Sequence, residues 1–498
     1  MRSQSCNFLN NMKTLFYKTG FFLLLFGTCS FSTIHAIEPT AIETEIQNGN
    51  FASARSMIDK YILEGNPTPG EVWDLKFRKE LLDRIELDFR ADPNRVLDYI
   101  RRYFPDVTTT QLDAWEKANS LETMMIDGRK RYFHSAAENL FRVDPEAKRV
   151  KLEKDGPVTS SLDNFLREHL ALIHAKVRET GKPTGHAPQT IRATYTLTVP
   201  PDTVPEGETI RCWLPFPRSD HRRQTDIVFL DSNLDNPIFS PPEYDHSTIY
   251  SEKIAVKGEP TVFRVQFQYR ATGEWFDPKH PGIQPYDKES ELYKYYTAER
   301  TNHVIFTDEI KRLSEKIVGE ETEPPVVVAK IYDWITTTYP WARSREYSTV
   351  PNIPLYVIEN GRGDCGMVAL LMITLCRYNG IPAKWQSGFM THPRNVGMHD
   401  WVEVYFEGVG WVPADPSLGE KKLFGTKELD DFFLSGTDSY RLIVNEDYSR
   451  DLYPAKIYPR SETVDFQRGE VEWRGGNLYF NRWRWNLSVE YVDEKAGN

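Results

Sequence analysis

The chain has 498 residues and a net charge of −11, with 40% hydrophobic and 13% aromatic residues. This length exceeds one ordinary core and predicts several domains, each with enough apolar residues to bury a sizeable interior. Because phosphate binding needs a clustered basic surface, the negative charge argues against nucleic acid as the main partner.

The N-terminus has the features of an export signal. Basic residues precede an apolar run over residues 20–31 that is too short to cross a bilayer, and cleavage after Ala36 would follow the small-residue rule. The residues before Cys29 form a poor lipidation box, so lipid anchoring there is not expected. We predict a signal peptide over residues 1–36 and a periplasmic or extracellular mature protein without a transmembrane segment.

Two domains are predicted after the signal. Residues 37–185 show helical periodicity, with a typical helix start where Thr68 precedes Pro69, and are predicted to form a helical domain. Near residue 186 the period changes from about 3.6 to two, as apolar and polar residues alternate. Residues 186–275 are therefore predicted to form an antiparallel β-sandwich.

The helical pattern then returns, and residues 276–425 are predicted to form an α+β core. The remaining residues, 426–498, contain a Gly-Gly pair typical of a hairpin turn and a run of alternating apolar residues, which predict a C-terminal β-rich extension. The predicted fold class is therefore multidomain α+β.

Cys365 lies at the edge of the apolar run CGMVALLMITL, between two glycines, where a long buried helix is predicted to begin. Asp364 occupies the N-cap position, and a thiol in the first helical turn is expected to have a depressed pKa because the helix dipole favours negative charge. Once the signal is removed, three cysteines remain, so at least one thiol stays unpaired within the chain. Cys365 is therefore a candidate nucleophile; a structural cysteine ending a core helix is the alternative.

A thiolate nucleophile needs a base and a group that orients the base. His399, at the start of an alternating strand, is the first candidate for the base, and His392, in a loop segment, is the weaker one. Asp400 is expected to point to the opposite face of the strand from His399. Asp415 shares the face of His399 if residues 407–409 form the hairpin loop, whereas a four-residue loop would turn it away.

The stretches GRGDCGMVALLMITLCRYNGIPAKWQSGF and HDWVEVYFEGVGWVPADPS together resemble the transglutaminase-like superfamily, whose fold is related to papain. The resemblance covers about residues 325–420. The preceding sandwich resembles the β domain often found before such cores in exported bacterial members. The resemblance implies a papain-like transglutaminase core in which Cys365 is the nucleophile, His399 the base and Asp415 its orienter.

The activity that this resemblance implies is acyl transfer. The thiolate attacks an amide carbonyl of a peptide or protein, such as a cell-envelope peptide, and a thioester forms as His399 protonates the leaving amine. The backbone N–H of Cys365 would supply one oxyanion donor, and Tyr339 and Trp341 are candidates for a second, with a packing role as the alternative for both.

No acidic calcium loop is evident, so the chain resembles the hydrolytic branches more than the calcium-dependent cross-linking enzymes. Peptidase or amidase activity is therefore predicted over amine cross-linking, with no metal and no cofactor.

Two alternative functions use parts of the same pattern. A non-catalytic exported protein that binds a cell-surface polymer could use the same fold, although it would not need the intact Cys-His-Asp set. A metal site at Cys365 and His399 is disfavoured because the chain lacks the paired cysteine and histidine spacings of zinc sites. The sequence carries no signal for the oligomeric state.

Overall fold

A computed structural model describes residues 39–157, 160–278 and 282–492. The predicted signal peptide, with Cys29, lies outside these ranges. No helix within them is both long and apolar enough to cross a membrane. Helices and several antiparallel sheets build the chain, which confirms the predicted multidomain α+β class.

Helices dominate the described residues before 181. They are α1 (Pro39–Gln47), α2 (Phe51–Glu64), α3 (Pro69–Asp88), α4 (Pro93–Arg101), α5 (Thr109–Lys117), α6 (Ala136–Val143), α7 (Pro145–Asp155) and α8 (Ser161–Thr180), with a hairpin of β1 (Thr123–Ile126) and β2 (Arg129–Tyr132). The predicted start of α3 is confirmed, because the Thr68 side chain accepts the backbone N–H of Glu71. Phe51, Leu82 and Leu140 belong to the apolar core of this region.

Six strands follow and form most of a β-sandwich. They are β3 (His186–Val199), β4 (Thr209–Pro215), β5 (Gln224–Ser232), β6 (Ile238–Phe239), β7 (Thr248–Ile254) and β8 (Thr261–Trp275). The alternation predicted for β3 is confirmed, since Ile191, Tyr195 and Leu197 are buried between partly exposed neighbours.

The next elements form the core that carries Cys365. They are α9 (Glu291–Thr297), α10 (Asp308–Val318), α11 (Pro324–Thr338), α12 (Ile353–Asn360), α13 (Cys365–Tyr378), β9 (Ala383–His392), β10 (Asn395–Phe406), β11 (Gly410–Ala414), α14 (Pro416–Gly419), α15 (Lys427–Asp430) and α16 (Phe432–Ser435), with a short 3-10 turn at Tyr347–Thr349. Helix α13 packs on β9 and β10. Residues 366–377 are all buried, as an apolar run without a polar face requires.

The last strands complete sheets that begin earlier in the chain. They are β12 (Gly436–Thr437), β13 (Arg441–Asn445), β14 (Glu470–Trp473), β15 (Gly476–Asn477) and β16 (Arg484–Tyr491), with a 3-10 turn at Phe480–Arg482. The core sheet has the order β11-β10-β9-β13, and the sandwich sheets have the orders β12-β8-β3-β16, with β5 also on β8, and β15-β14-β4-β7-β6. The interval predicted as an extension thus pairs its strands with both earlier domains, which covers strand edges that would otherwise be open.

The helical region docks on the segment that leads to α13. Asp88 at the end of α3 accepts the Thr349 hydroxyl at 2.9 Å and the backbone N–H of Glu346 at 3.3 Å. The Asn139 side chain donates to the Arg343 carbonyl at 2.8 Å and accepts the Arg343 N–H at 3.0 Å. These bonds hold residues 343–349 in place beside the start of α13.

Candidate active site

Cys365 is the first residue of α13, where this buried helix reaches a cavity. Asp364 caps the helix as predicted, since its Oδ1 accepts the backbone N–H of Met367 at 3.1 Å. Gly363 lies directly against another backbone segment, and its carbonyl accepts the Ala342 N–H at 3.0 Å. The cap and this neighbouring segment together fix the position of the helix start.

The thiol of Cys365 lies 3.3 Å from Asp400 Oδ2 and donates its hydrogen to that carboxyl group. The Tyr347 hydroxyl lies 3.3 Å from the same oxygen and 2.7 Å from Asp364 Oδ1. Gly366 makes this close packing possible, because a Cβ there would lie 2.7 Å from Asp400 Oδ2 and 2.3 Å from the Tyr347 oxygen. The sulfur therefore lies against the Asp400 carboxyl group, which the Tyr347 hydroxyl links to the Asp364 carboxyl group.

A cavity of about 310 Å³ opens in front of the sulfur. Three parts of the chain line it: the core supplies Trp341, Tyr347 and Asp400, the helical region supplies His134, and the C-terminal part supplies Glu462, Asp465, Gln467 and Arg468. Arg468 pairs with Glu346 at 2.9 Å across this cavity wall. A substrate that reaches Cys365 would contact all three parts.

These surroundings change the acid–base properties of the site. Burial, followed by the Asp400 and Asp364 carboxylates, raises the pKa of the Cys365 thiol well above its usual range. Burial and the charge of Asp364 raise the pKa of Asp400 to about 7. The depressed thiol pKa expected from the helix start is therefore wrong for this arrangement, because burial and, after it, two carboxylates outweigh the helix dipole.

The rate of alkylation tests whether Asp400 raises the pKa of the Cys365 thiol. We expect iodoacetamide to modify Cys365 slowly at pH 8, and Asp400→Asn to speed the reaction because it removes the nearest negative charge. A thiol pKa lowered by one unit gives about tenfold more thiolate well below the pKa. Peptide mapping by mass spectrometry measures the rate, and the buried Cys212 and Cys376 serve as internal controls for the fold. Equal rates in the two proteins would show that Asp400 does not hold the thiol.

His399 and Asp415 form a direct hydrogen bond. His399 Nε2 lies 2.7 Å from Asp415 Oδ2, and both side chains are buried. The hairpin has the three-residue loop on which this pairing was predicted to depend, with Phe406 opposite Gly410. Asp415 also caps α14, since its Oδ1 accepts the Leu418 N–H at 3.0 Å.

Although burial opposes ionisation, interactions with His399 and Arg441 bring the pKa of Asp415 down to about 2. Asp415 is thus a carboxylate at neutral pH, so Nε2 carries the ring proton and donates it. Burial lowers the pKa of His399, so the ring favours its neutral form. Nδ1 is then the nitrogen that can accept a proton.

Of the three residues predicted to form a triad, two are hydrogen-bonded to each other and the third has a different partner. His399 binds Asp415, and Cys365 binds Asp400, the residue that directly follows His399. No hydrogen bond among the described residues joins the sulfur to the imidazole. His392, the weaker candidate for the base, binds Asp438 at 2.9 Å instead.

The two predicted oxyanion donors lie in different surroundings. Tyr339 is buried and belongs to the main apolar core. Trp341 is 39% exposed and lines the cavity beside Cys365. Of these two side chains, Trp341 is the one with access to a group bound in the cavity.

Sequence reasoning missed a glutamine that ties the site to the C-terminal part of the chain. Gln467 Nε2 donates to Asp400 Oδ1 at 2.7 Å and to the His399 carbonyl at 3.0 Å. It thereby holds the backbone between the two active-site pairs. No local pattern marks Gln467, because its contacts join residues more than sixty positions apart.

One group of side chains in the described part of the chain has the spacing of a metal site: His221, Glu403 and Glu446. These side chains already pair with each other and with a lysine, since His221 Nε2 and Lys384 Nζ lie 3.2 Å and 3.0 Å from the Glu403 carboxylate. The Lys384 ammonium therefore balances the charge of the buried Glu403 carboxylate. The group includes neither Cys365 nor His399.

A buried helix that begins at a cysteine thus packs on an antiparallel sheet that carries a histidine–aspartate pair. Residues 311–416 match the model of the transglutaminase-like superfamily, which confirms that the chain contains a transglutaminase-like domain.

Three known proteins are similar to parts of this chain. YebA of Bacillus subtilis, an uncharacterised protein, is 32% identical over 78 residues, which cover 13% of this chain and 11% of YebA. A candidate cysteine protease from Cytophaga hutchinsonii is 14% identical, covering 63% of this chain and 93% of that one, with a TM-score of 0.40. The periplasmic domain of TgpA from Pseudomonas aeruginosa is 12% identical, covering 49% of this chain and 96% of that one, with a TM-score of 0.26.

Proposed function

We propose that this protein is an exported, cysteine-dependent acyl-transfer enzyme that acts on amide bonds of peptides or proteins. Cys365 is the nucleophile, His399 the proton carrier and Asp415 the group that orients the imidazole. The observation that carries the proposal is the 2.7 Å bond between His399 Nε2 and Asp415, because it leaves Nδ1 as the basic nitrogen of a histidine whose neighbour in the chain, Asp400, binds the sulfur.

The proposed reaction begins with the thiol bound to Asp400. The S–H group then leaves this carboxyl, and His399 Nδ1 accepts the proton. Because Asp400 and His399 leave β10 on opposite faces, this transfer needs a movement at the start of β10 as well as rotation of the Cys365 side chain. The thiolate then attacks the amide carbonyl and forms a C–S bond. As the C–N bond breaks, the imidazolium gives its proton to the leaving amine, and a thioester remains.

Completion of the cycle needs an acceptor for the acyl group. His399, neutral again, takes a proton from water, which attacks the thioester and releases a carboxylic acid and the thiol. The Cys365 backbone N–H and Trp341 would stabilise the oxyanion in both steps, with Tyr339 the less accessible candidate. We favour water over an amine as the acceptor, which makes the enzyme a peptidase or amidase of the periplasm or the cell exterior.

The resting state of the thiol also supports a second candidate function. The hydrogen bond to Asp400 and the raised thiol pKa are properties of an unreactive cysteine. A binding protein for a cell-surface polymer that has kept this fold would show them too. The two candidates differ in turnover, which only the enzyme has.

Incubation of the full-length protein with a peptide library, followed by mass spectrometry, tests the proposal. Cleavage gives two fragments whose summed mass exceeds that of the peptide by one water, and deamidation, which exchanges ammonia for water, leaves the peptide slightly heavier. Transfer to an amine joins two peptides. We expect cleaved or deamidated products that disappear in the Cys365→Ala variant. Joined peptides would make an amine the acceptor, and an unchanged library would favour the binding protein.

A further inference from the structure

Asp415, which binds His399, has a second cationic partner. Arg441 on β13 donates from Nη2 to Asp415 Oδ2 at 2.9 Å, the same oxygen that His399 approaches. Its Nε donates to Asp438 Oδ2, also at 2.9 Å. Asp438 accepts in turn from the Tyr440 backbone N–H at 2.8 Å.

The chain of contacts ends at a second histidine. His392 Nε2 lies 2.9 Å from Asp438 Oδ1. The Arg441 network therefore consists of His399, Asp415, Arg441, Asp438 and His392, in which imidazole, carboxylate, guanidinium, carboxylate and imidazole alternate. All five side chains are at most 3% exposed, so water contributes little to their solvation.

Arg441 also affects the position of the His399 ring indirectly, through the packing of Trp401. Its guanidinium lies 5.0 Å from the centre of the Trp401 ring, and this indole stacks on His399 with ring centres 5.9 Å apart. The indole is fixed from its other end, since Trp401 Nε1 donates to Gln386 Oε1 at 2.6 Å. Arg441 thus contacts both neighbours that set the position of the imidazole.

We propose that Arg441 is a positioning residue for His399: it fixes Asp415 in line with the imidazole, and Asp438 balances its charge. The catalytic meaning of this role rests on the proposed function, whereas the electrostatic effect on His399 does not. An arginine suits the role because its planar fork donates to two carboxylates at once, which a lysine ammonium cannot do with the same geometry.

The sign of the effect follows from the charges around His399. The groups that act on it are Asp415 after β11, Arg441 on β13 and His392 on β9, whereas Asp400 and Cys365 lie on the other face of β10, against α13. Besides burial, Arg441 and His392 lower the pKa of His399, and Asp415 raises it. Loss of the Arg441 charge should therefore raise the pKa of His399, and loss of the Asp438 charge should lower it.

Histidine NMR of the full-length protein measures this effect without any substrate. The protein is labelled at histidine Cε1, and the His399 signal is assigned by its absence in His399→Gln. In Arg441→Gln we expect the midpoint of its titration to move up by about one pH unit, and in Asp438→Asn to move down. Arg441→Lys, which keeps the charge, should stay within about 0.3 units of the wild type.

Arg300→Gln is the matched control, because Arg300 also pairs with a buried aspartate, Asp447, at 2.6 Å. Arg300→Gln should lower the free energy of unfolding but leave the midpoint of the His399 titration unchanged. Opposite shifts in Arg441→Gln and Asp438→Asn support the proposal even if no amide substrate is turned over. Equal midpoints in all folded variants would overturn it and reduce Arg441 to a structural residue.

Discussion

Replacing Cys365 by alanine should abolish amide-bond turnover while the protein stays folded. Loss of a covalent nucleophile typically costs at least about 10³-fold in rate, because no neighbouring group can form the thioester. The Cys365 side chain is small and only partly buried, and its removal relieves a contact with Asp400. The melting temperature should therefore change by no more than about 3 °C.

Cys376 on the same helix provides the matched control. It is fully buried, so Cys376→Ala should lower the free energy of unfolding by about 1 kcal/mol through the cavity it leaves. Turnover per folded molecule should be unchanged. Full turnover in Cys365→Ala, measured on the peptides identified in the library, would contradict the assignment of the nucleophile.

The helix that begins at Cys365 and the hairpin that holds His399 and Asp415 could both be predicted, because local patterns determine them. The apolar run after Cys365 has no polar face, so it had to form a buried helix. The short loop after Phe406 sets the strand register, and the register determines that Asp415 and His399 share a face. Both arguments use neighbours in sequence, where periodicity is informative.

The partner of the sulfur could not be predicted in the same way. Strand alternation correctly separates Asp400 from His399, but it does not tell which face the helix covers. Helix α13 packs against the Asp400 side, where Gly366 allows close contact, and the carboxyl reaches the thiol. The thiol pKa depends on this packing, which is why the expectation from the helix dipole alone had the wrong sign.

The contributions of the C-terminal part were also beyond sequence reasoning. Arg441 and Gln467 lie 26 and 68 residues from the site groups they bind. Their positions depend on β13 pairing with β9 and on the later strands joining the sandwich. Long-range pairing of this kind leaves no periodic signal near Cys365.

Asparagine at position 415 should cost far more activity than asparagine at position 400. Asp415→Asn removes the charge that holds the imidazole in the Nε2–H form, and the comparable change in a serine protease triad costs about 10⁴-fold. Asp400→Asn leaves the His399–Asp415 bond intact and frees the thiol, so we expect less than a tenfold loss. Rates per folded molecule on one peptide substrate give the order; the reverse order would place the essential carboxylate beside the sulfur.

The same two variants should differ in the pH dependence of stability. The pKa of Asp415 is about 2 in the folded protein and near 4 when unfolded, so its contribution of about 2.5 kcal/mol is present above pH 4 and lost as the pH falls towards 2. The pKa of Asp400 is about 7, so ionisation of this group destabilises the fold as the pH rises from 4 to 7.

Urea unfolding at pH 5 and pH 8 separates these contributions. Asp415→Asn should be less stable than the wild type at both values, because the carboxylate is fully ionised in the folded state at each. Asp400→Asn should gain stability relative to the wild type between pH 5 and pH 8, because an amide has no charge to bury. A parallel pH dependence in Asp400→Asn and the wild type would mean that Asp400 is solvated in the folded protein, and the thiol would then have no buried carboxylate to hold it.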